Sequence, residues 1–222
     1  MIRVLVVDPH PVVREGVRQA VAGAGDITVV AEAESDEGLL TALRTTPVDV
    51  VVLELGTLAG GPLSGIRRIK AAQPAARVLV LTVYREEELA LRVLGNGADG
   101  CLTKSRTPRE LVTAIRQVAS GKRYVSARLV RRLAGRLRGR EHEMPHERLT
   151  DREFEVLCLL ARGARLVSIA QTLGISPKTV SAYRARVLRK LGVRTGAELL
   201  RYAIEHWLVP GARSGSLRNH NT

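Results

Sequence analysis

Residues 2–7, 48–55 and 78–83 are three short runs, apolar almost throughout and rich in valine. A run of that length without polar alternation suits a strand buried on both faces of a parallel sheet. Shorter runs at 27–31 and 99–103 read the same way. Helical spacing fills the gaps, at about 11–23, 35–45, 63–72, 85–96 and 107–120. The last stretch opens Thr107-Pro108-Arg109-Glu110: an N-cap, a proline at the first helical position and the glutamate of a capping box. Five strands alternating with five helices predict an α/β, doubly wound, five-stranded parallel sheet.

The pattern changes after residue 122. Residues 125–137 have helical spacing and many arginines, and 139–148 are polar around Pro145. These features predict a linker helix and a flexible joint over 123–147. From Leu149 the pattern is purely helical. Thr150-Asp151-Arg152-Glu153 is a capping box, with Leu149 and Phe154 at the staple positions. Gly163 fits the stop, and a short helix at about 166–173 ends at Gly174. Ser176-Pro177 starts a third helix that ends near Gly192, and Thr195-Gly196-Ala197-Glu198 caps a fourth. The expected domains are 1–122, an all-α four-helix unit over 148–210, and a disordered tail over 211–222.

Charge separates the same two parts. Residues 1–120 hold 14 Lys+Arg and 14 Asp+Glu, whereas 121–222 hold 21 and 8, so the whole net charge of +13 lies in the second part. A neutral unit joined to a basic one points to a polyanionic partner for the basic one. Only 3% of residues are aromatic, so Leu, Val, Ala and Ile must fill the cores. Two cysteines, Cys101 and Cys158, make no disulfide framework and suit a reducing compartment. No stretch approaches the roughly 20 apolar residues of a membrane span. The apolar start is too short for a signal peptide, so the chain is expected to be soluble and cytoplasmic, with no membrane partner.

The third helix of the basic part carries Val180, Tyr183, Val187, Leu188 and Leu191 at core spacing. Its other face presents Lys178, Ser181, Ala182, Ala185 and Arg189, flanked by Arg184 and Arg186. Small residues at the centre let such a helix sit deep in the major groove, and edge arginines reach phosphates or guanines. The short preceding helix and the Gly174-Ile175-Ser176 turn complete a helix-turn-helix unit. Residues Leu149–Leu157, Ile169-Ala170, Ile175–Val180 and Arg189–Val193 resemble the LuxR-type DNA-binding domain over about 60 residues. The resemblance implies a four-helix domain whose third helix reads DNA through Lys178, Thr179, Ser181, Ala182 and Ala185. It also implies that the closing helix carries dimer contacts. Ala182 and Ala185 lack hydrogen-bonding groups, so specificity is expected to lean on methyl contacts, Arg184, Arg186 or DNA shape.

In open parallel sheets, ligands bind at the carboxyl ends of the strands. Asp8, Glu54, Thr82 and Lys104 all fall at such ends. A carboxylate pair flanked by a hydroxyl and an ammonium suits a metal-phosphate site. The segments 2–8, 10–16, 78–82, 97–100 and 102–104 resemble a response-regulator receiver domain of the NarL type, a flavodoxin-like fold. That resemblance implies a phosphorylated aspartate on strand three, a magnesium ion held by two acidic residues after strand one, and a Thr and a Lys on the phosphoryl group. This chain departs where the chemistry is done. Glu54 stands at the acceptor position, Pro9 at the second acidic position and Cys101 at the aromatic switch position. The loop over 56–65 is also about three residues longer than the family pattern. Glu54 carries its carboxylate roughly 1.5 Å further out than aspartate, and magnesium wants near-ideal octahedral oxygens. At most a weak metal site from Asp8 and Glu54 is expected, and no cofactor. His10 is expected to shape its loop and Cys101 to be core.

The favoured reading is a sequence-specific transcription regulator whose receiver works without phosphorylation. Two alternatives are residual phosphorylation, as in a conventional two-component regulator, and a receiver kept only as a dimerisation scaffold. A third is an interaction module that sequesters another regulator. Enzymatic phosphoryl hydrolysis is disfavoured by Pro9. The expected partners are double-stranded DNA, a second copy of the chain and RNA polymerase; a sensor kinase is not expected.

Overall fold

The computed structural model describes residues 1–55, 63–84, 86–138 and 143–209, of which 86–88, 132–133 and 136–137 by backbone alone. Its first part alternates β1 (Ile2–Val7), α1 (Pro11–Ala22), β2 (Ile27–Ala33), α2 (Asp36–Thr45), β3 (Val50–Leu53), α3 (Ser64–Ala72), β4 (Arg77–Thr82), α4 (Glu86–Gly95), β5 (Gly100–Thr103) and α5 (Pro108–Ala119). All strands pair in parallel, in the order β2-β1-β3-β4-β5. The doubly wound sheet is therefore as the strand pattern predicts. Strand three is shorter than its apolar run, because Val48 and Leu55 pack in the core from outside the ladder.

Alternation along each strand decides which helices meet which residues. Val4, Val6, Val50, Val52, Leu79 and Leu102 face α1 and α5. Leu5, Val7, Val51, Leu53, Val78 and Cys101 face α2, α3 and α4. Each fully buried Leu or Ile contributes about 1.5–3 kcal/mol. The predicted capping box at Thr107 forms, with Glu110 closing it. Gly100 opens β5 because a Cβ there would stand 2.9 Å from Leu79 Cδ1 and 3.0 Å from Tyr124 Cβ.

The second part runs α6 (Ala127–Leu137), a 3-10 turn (Pro145–Arg148), α7 (Asp151–Ala161), α8 (Leu166–Leu173), α9 (Pro177–Leu191) and α10 (Gly196–Glu205). Residues 139–142 of the expected joint, and the expected tail, lie outside the described residues. Within the expected joint, Pro145–Arg148 forms a 3-10 turn anchored by one buried residue. Its His146 is 1% exposed and hydrogen-bonds the Tyr202 hydroxyl at 2.9 Å. Thr150 and Glu153 close the predicted box. At α10 Thr195 accepts from Glu198 N, and the Glu198 carboxylate also takes the Arg194 N–H at 2.7 Å, which with the Thr195 backbone holds it below its ordinary pKa. Gly174 and Gly192 end α8 and α9 at φ +64° and +70°, the left-handed region glycine adopts freely.

The two parts share one apolar core. Leu89, Val93 and Leu129 belong to the same buried cluster as Phe154, Leu157, Cys158 and Leu208. That continuity fixes the helical unit against α4 of the sheet.

Candidate functional site

Two surfaces carry the chemistry. The first lies at the carboxyl ends of β1, β3, β4 and β5, where β1 and β3 flank the point at which the strand order reverses. The structure brings the four predicted residues together there. Asp8 and Glu54 are 2% and 6% exposed, and Thr82 is fully buried. Lys104 Nζ sits 2.5 Å from Asp8 Oδ2 and 2.5 Å from Glu54 Oε2. Thr82 donates its hydroxyl to Glu54 Oε1 at 3.2 Å. The other Asp8 oxygen accepts from the His10 backbone N–H at 2.9 Å and meets His10 Nδ1 at 2.9 Å, so His10 shapes the loop.

Electrostatics follow from that packing. Burial raises the Glu54 carboxyl above its ordinary range; the Lys104 ammonium draws it back down, and the Asp8 charge pushes the same way as burial. Burial works against the charged Lys104, but its bonds to Asp8 and Glu54 outweigh this and raise its pKa. The donor set does not fit magnesium. An ammonium already stands between the two carboxylates, the second acidic position is Pro9, and no group of three metal-type ligands occurs among the described residues.

Sequence reasoning missed what lies beyond Thr82. Its hydroxyl also accepts from the Tyr84 N–H at 3.4 Å. Tyr84 is 3% exposed, and its own hydroxyl accepts from Arg162 at 2.7 Å, at the end of α7. Burial pushes the Tyr84 phenol well above its ordinary range and the neighbouring Cys158 thiol up to about 12. Both stay protonated at neutral pH, and Cys158 is no reactive thiolate. A continuous path thus runs Glu54, Thr82, Tyr84, Arg162. Its one sequence signal is a tyrosine two residues after Thr82 in a chain poor in aromatics.

Arg92 of α4 makes the second crossing. It donates to Asp151 Oδ1 at 2.9 Å and to the Leu149 carbonyl at 2.9 Å, and its guanidinium lies 4.4 Å from the Phe154 ring centroid. Arg67 of α3 reaches the buried Glu155 at 3.3 Å. Nothing local marks these residues, since their partners lie 57 to 88 residues away.

The second surface is α9. Val156 of α7, Ile169 and Leu173 of α8 and Val180 of α9 form a small core that sets the helix-turn-helix angle. Lys190 ties α9 to α7 through Glu153 at 2.6 Å. On the outer face Lys178, Thr179, Ser181, Ala182, Ala185, Arg186 and Arg189 are all exposed. Thr179 Oγ1 lies 2.8 Å from the capping Ser176 hydroxyl. Arg186 lies 5.2 Å from the Tyr183 ring centroid, and Arg184 is half-buried near the start of α10. Docking against α4 leaves this face uncovered.

Residues 4–116 match the family described as response regulator receiver domain, and residues 147–203 match bacterial regulatory proteins of the luxR family. The chain is 35% identical over 209 residues to the response regulator UvrY of Escherichia coli K12, covering 94% of this chain and 96% of that one. It is also similar to RcsB from Salmonella enterica serovar Typhimurium bound to the promoter rprA in the presence of phosphomimetic BeF3-. That similarity has TM-score 0.75 and 28% identity, and covers 90% of this chain and 97% of that one. A structure of two RcsB dimers bound to two parallel DNAs matches with TM-score 0.58 and 28% identity, at the same coverage.

Proposed function

The chain belongs to the LuxR-family response regulators, DNA-binding proteins with a receiver ahead of a helix-turn-helix domain, and from that premise we propose that its receiver works without phosphorylation. One observation carries the reading. The Glu54 carboxylate and the Lys104 ammonium are already paired at 2.5 Å, with Asp8 on the same ammonium and Thr82 on the same carboxylate. A phosphorylated aspartate in a receiver recruits such a lysine and hydroxyl through its phosphoryl oxygens. Here a carboxylate one methylene longer recruits them permanently. An incoming phosphoryl group would have to displace the ammonium, and no magnesium would neutralise it.

The path through Tyr84 to Arg162 favours a regulatory role for this pocket over that of a bare scaffold. Domain limits of 1–122 and 148–210 accommodate it, with 123–147 as the connection. Lys178, Thr179, Ser181, Ala182 and Ala185 read the major groove, while Arg184, Arg186 and Arg189 serve phosphates and groove edges. RcsB occurs on promoter DNA and as dimers on DNA. This chain acts likewise, as a homodimer on double-stranded DNA.

Intact mass measured after incubation with magnesium and acetyl phosphate tests the reading, with Glu54→Asp run alongside. An unmodified wild type is expected. A single phosphoryl group mapped to Glu54 or Asp8 refutes it.

A further inference from the structure

Most of the excess positive charge lies outside the helix-turn-helix unit. Residues 121–140 hold 8 Lys+Arg and no Asp or Glu. Eight of the 13 net charges therefore fall in one short stretch ahead of that unit, and residues 141–222 share the other five. Ion pairs with the receiver would not cancel the excess. Residues 1–120 are neutral as a whole, so each carboxylate lent to the linker leaves a receiver cation without one. A polyanion nearby responds to that net charge, whichever groups pair within the protein.

The side chains follow the same division. In the receiver Arg3 meets Asp49, Arg68 meets Asp36 and Arg116 meets Asp26. Lys122, Arg123, Arg131 and Arg138 are all exposed, and none of the four forms an ion pair among the described residues. Arg138 continues α6, its N–H bonding the Ala134 carbonyl at 3.2 Å. Arg131 and Arg138 are two helical turns apart, on one face, and about 10 Å apart along the axis. That is about three nucleotide steps of one DNA strand, at about 3.4 Å each. Arg128, Arg132 and Arg136 repeat every four residues, a spacing at which like charges oppose helix formation. A polyanion alongside α6 relieves that repulsion. On the inner side Leu129 is 1% exposed and shares a core with Phe154 and Leu157. A membrane-surface helix would turn such a residue to lipid. Here it packs in protein and holds α6 to the unit that carries α9.

We propose that Lys122, Arg123 and the outer face of α6 form a second DNA surface, which holds the phosphate backbone beside the segment that α9 reads. Flexible cations on phosphates carry no sequence information, so this surface adds affinity and leaves base choice to α9. The inference rests on the reading of α9 as the DNA-contacting helix only in placing both surfaces on one duplex.

The test is fluorescence anisotropy of the full-length protein on a labelled 30-base-pair duplex of mixed sequence, titrated across salt concentrations. Each lost phosphate contact lowers the salt slope of log K by about 0.9. Arg131→Gln with Arg138→Gln is therefore expected to lower it by about 2, and Arg131→Lys with Arg138→Lys to keep the wild-type slope. The same drop of about 2 is expected when the glutamine pair is added to Lys178→Ala with Arg186→Ala. A wild-type slope in the glutamine variant overturns the proposal. So does an equal drop in the lysine variant, which would make the arginines structural. Wild type binding phosphatidylserine vesicles more tightly than the duplex, with that binding lost in the glutamine variant, also overturns it and assigns the surface to lipid. A wild-type slope in the Lys178/Arg186 variant alone would undo the reading of α9 and leave the linker result standing.

Discussion

Replacing Lys104 with methionine is expected to cost the receiver about 3 kcal/mol at pH 7.5 and less at pH 5. Methionine keeps most of the lysine stem, so the loss is mainly the ammonium. What stays behind is two carboxylates whose side chains are 3% and 7% exposed, each having lost a partner at 2.5 Å. Removing one partner of a buried ion pair costs about 3–5 kcal/mol. Lys104 is itself 16% exposed, and Asp8 and Glu54 keep their bonds to His10 and Thr82, so the lower end applies. The sign of the pH effect follows from Glu54. Burial already raises its folded pKa, Asp8 adds to that, and Lys104 is the main opposing influence. Without the ammonium the folded pKa climbs further above the unfolded one. The folded state then binds the extra proton, and stability is lost as pH rises through that folded pKa. Each tenfold gain in proton affinity is worth about 1.4 kcal/mol, so acidification recovers part of the loss. Urea titrations of both proteins at the two pH values measure this. Magnesium gives an independent check, because the emptied carboxylate pair gains a cation site. At about 10 mM ion and a dissociation constant of about 1 mM, the variant gains about 1.4 kcal/mol and wild type gains nothing. A loss under about 1 kcal/mol, or one equal at both pH values, would refute the neutralising role of Lys104.

Three further outcomes test other parts of the molecule. Arg92→Ala removes the bonds to Asp151 and the Leu149 carbonyl and the stacking on Phe154. It should weaken coupling between the two units by about 2–3 kcal/mol, splitting a shared urea transition into two; one unsplit transition at the wild-type midpoint contradicts it. Lys178→Ala with Arg186→Ala should weaken promoter binding and lower the salt slope of log K by about 2; filter binding across salt concentrations measures this, and a wild-type slope excludes phosphate contacts by both residues. Asp99 bonds Lys70 at 2.8 Å, Arg77 at 3.0 Å and the Val78 N–H at 2.9 Å. Burial alone would raise its pKa, but these partners bring it below the ordinary value. Asp99→Asn should therefore cost about 2 kcal/mol at neutral pH. The gap to wild type should close as pH falls through the folded Asp99 pKa, and thermal melts at graded pH would expose a gap that does not narrow.

Much of this protein is local physics, and the local physics is legible. Valine-rich runs of strand length placed the sheet, because a two-sided parallel strand tolerates few polar residues. Thr107 and Thr150 placed helix starts, because a cap needs only a side chain three residues from a free N–H. The start of α10 marks the limit. That the Glu198 carboxylate also takes the Arg194 N–H depends on backbone geometry there, and residue spacing does not fix that. The site was partly legible for a related reason. Asp8, Glu54, Thr82 and Lys104 each end a strand, so topology alone gathers them.

Their bonding was another matter. That one ammonium would sit at 2.5 Å from both carboxylates follows from side-chain packing at the strand ends. Tyr84 meeting Arg162, Arg92 meeting Asp151 and Arg67 meeting the buried Glu155 join residues 59 to 88 positions apart. No periodicity or cap encodes such pairs, because each forms only after two separately patterned units have buried a common apolar face. The sequence by itself determined the elements, the sheet, the helix-turn-helix and the residues available for chemistry. Tertiary structure alone decided which charges meet, since that depends on how the units dock and not on the local preferences of either.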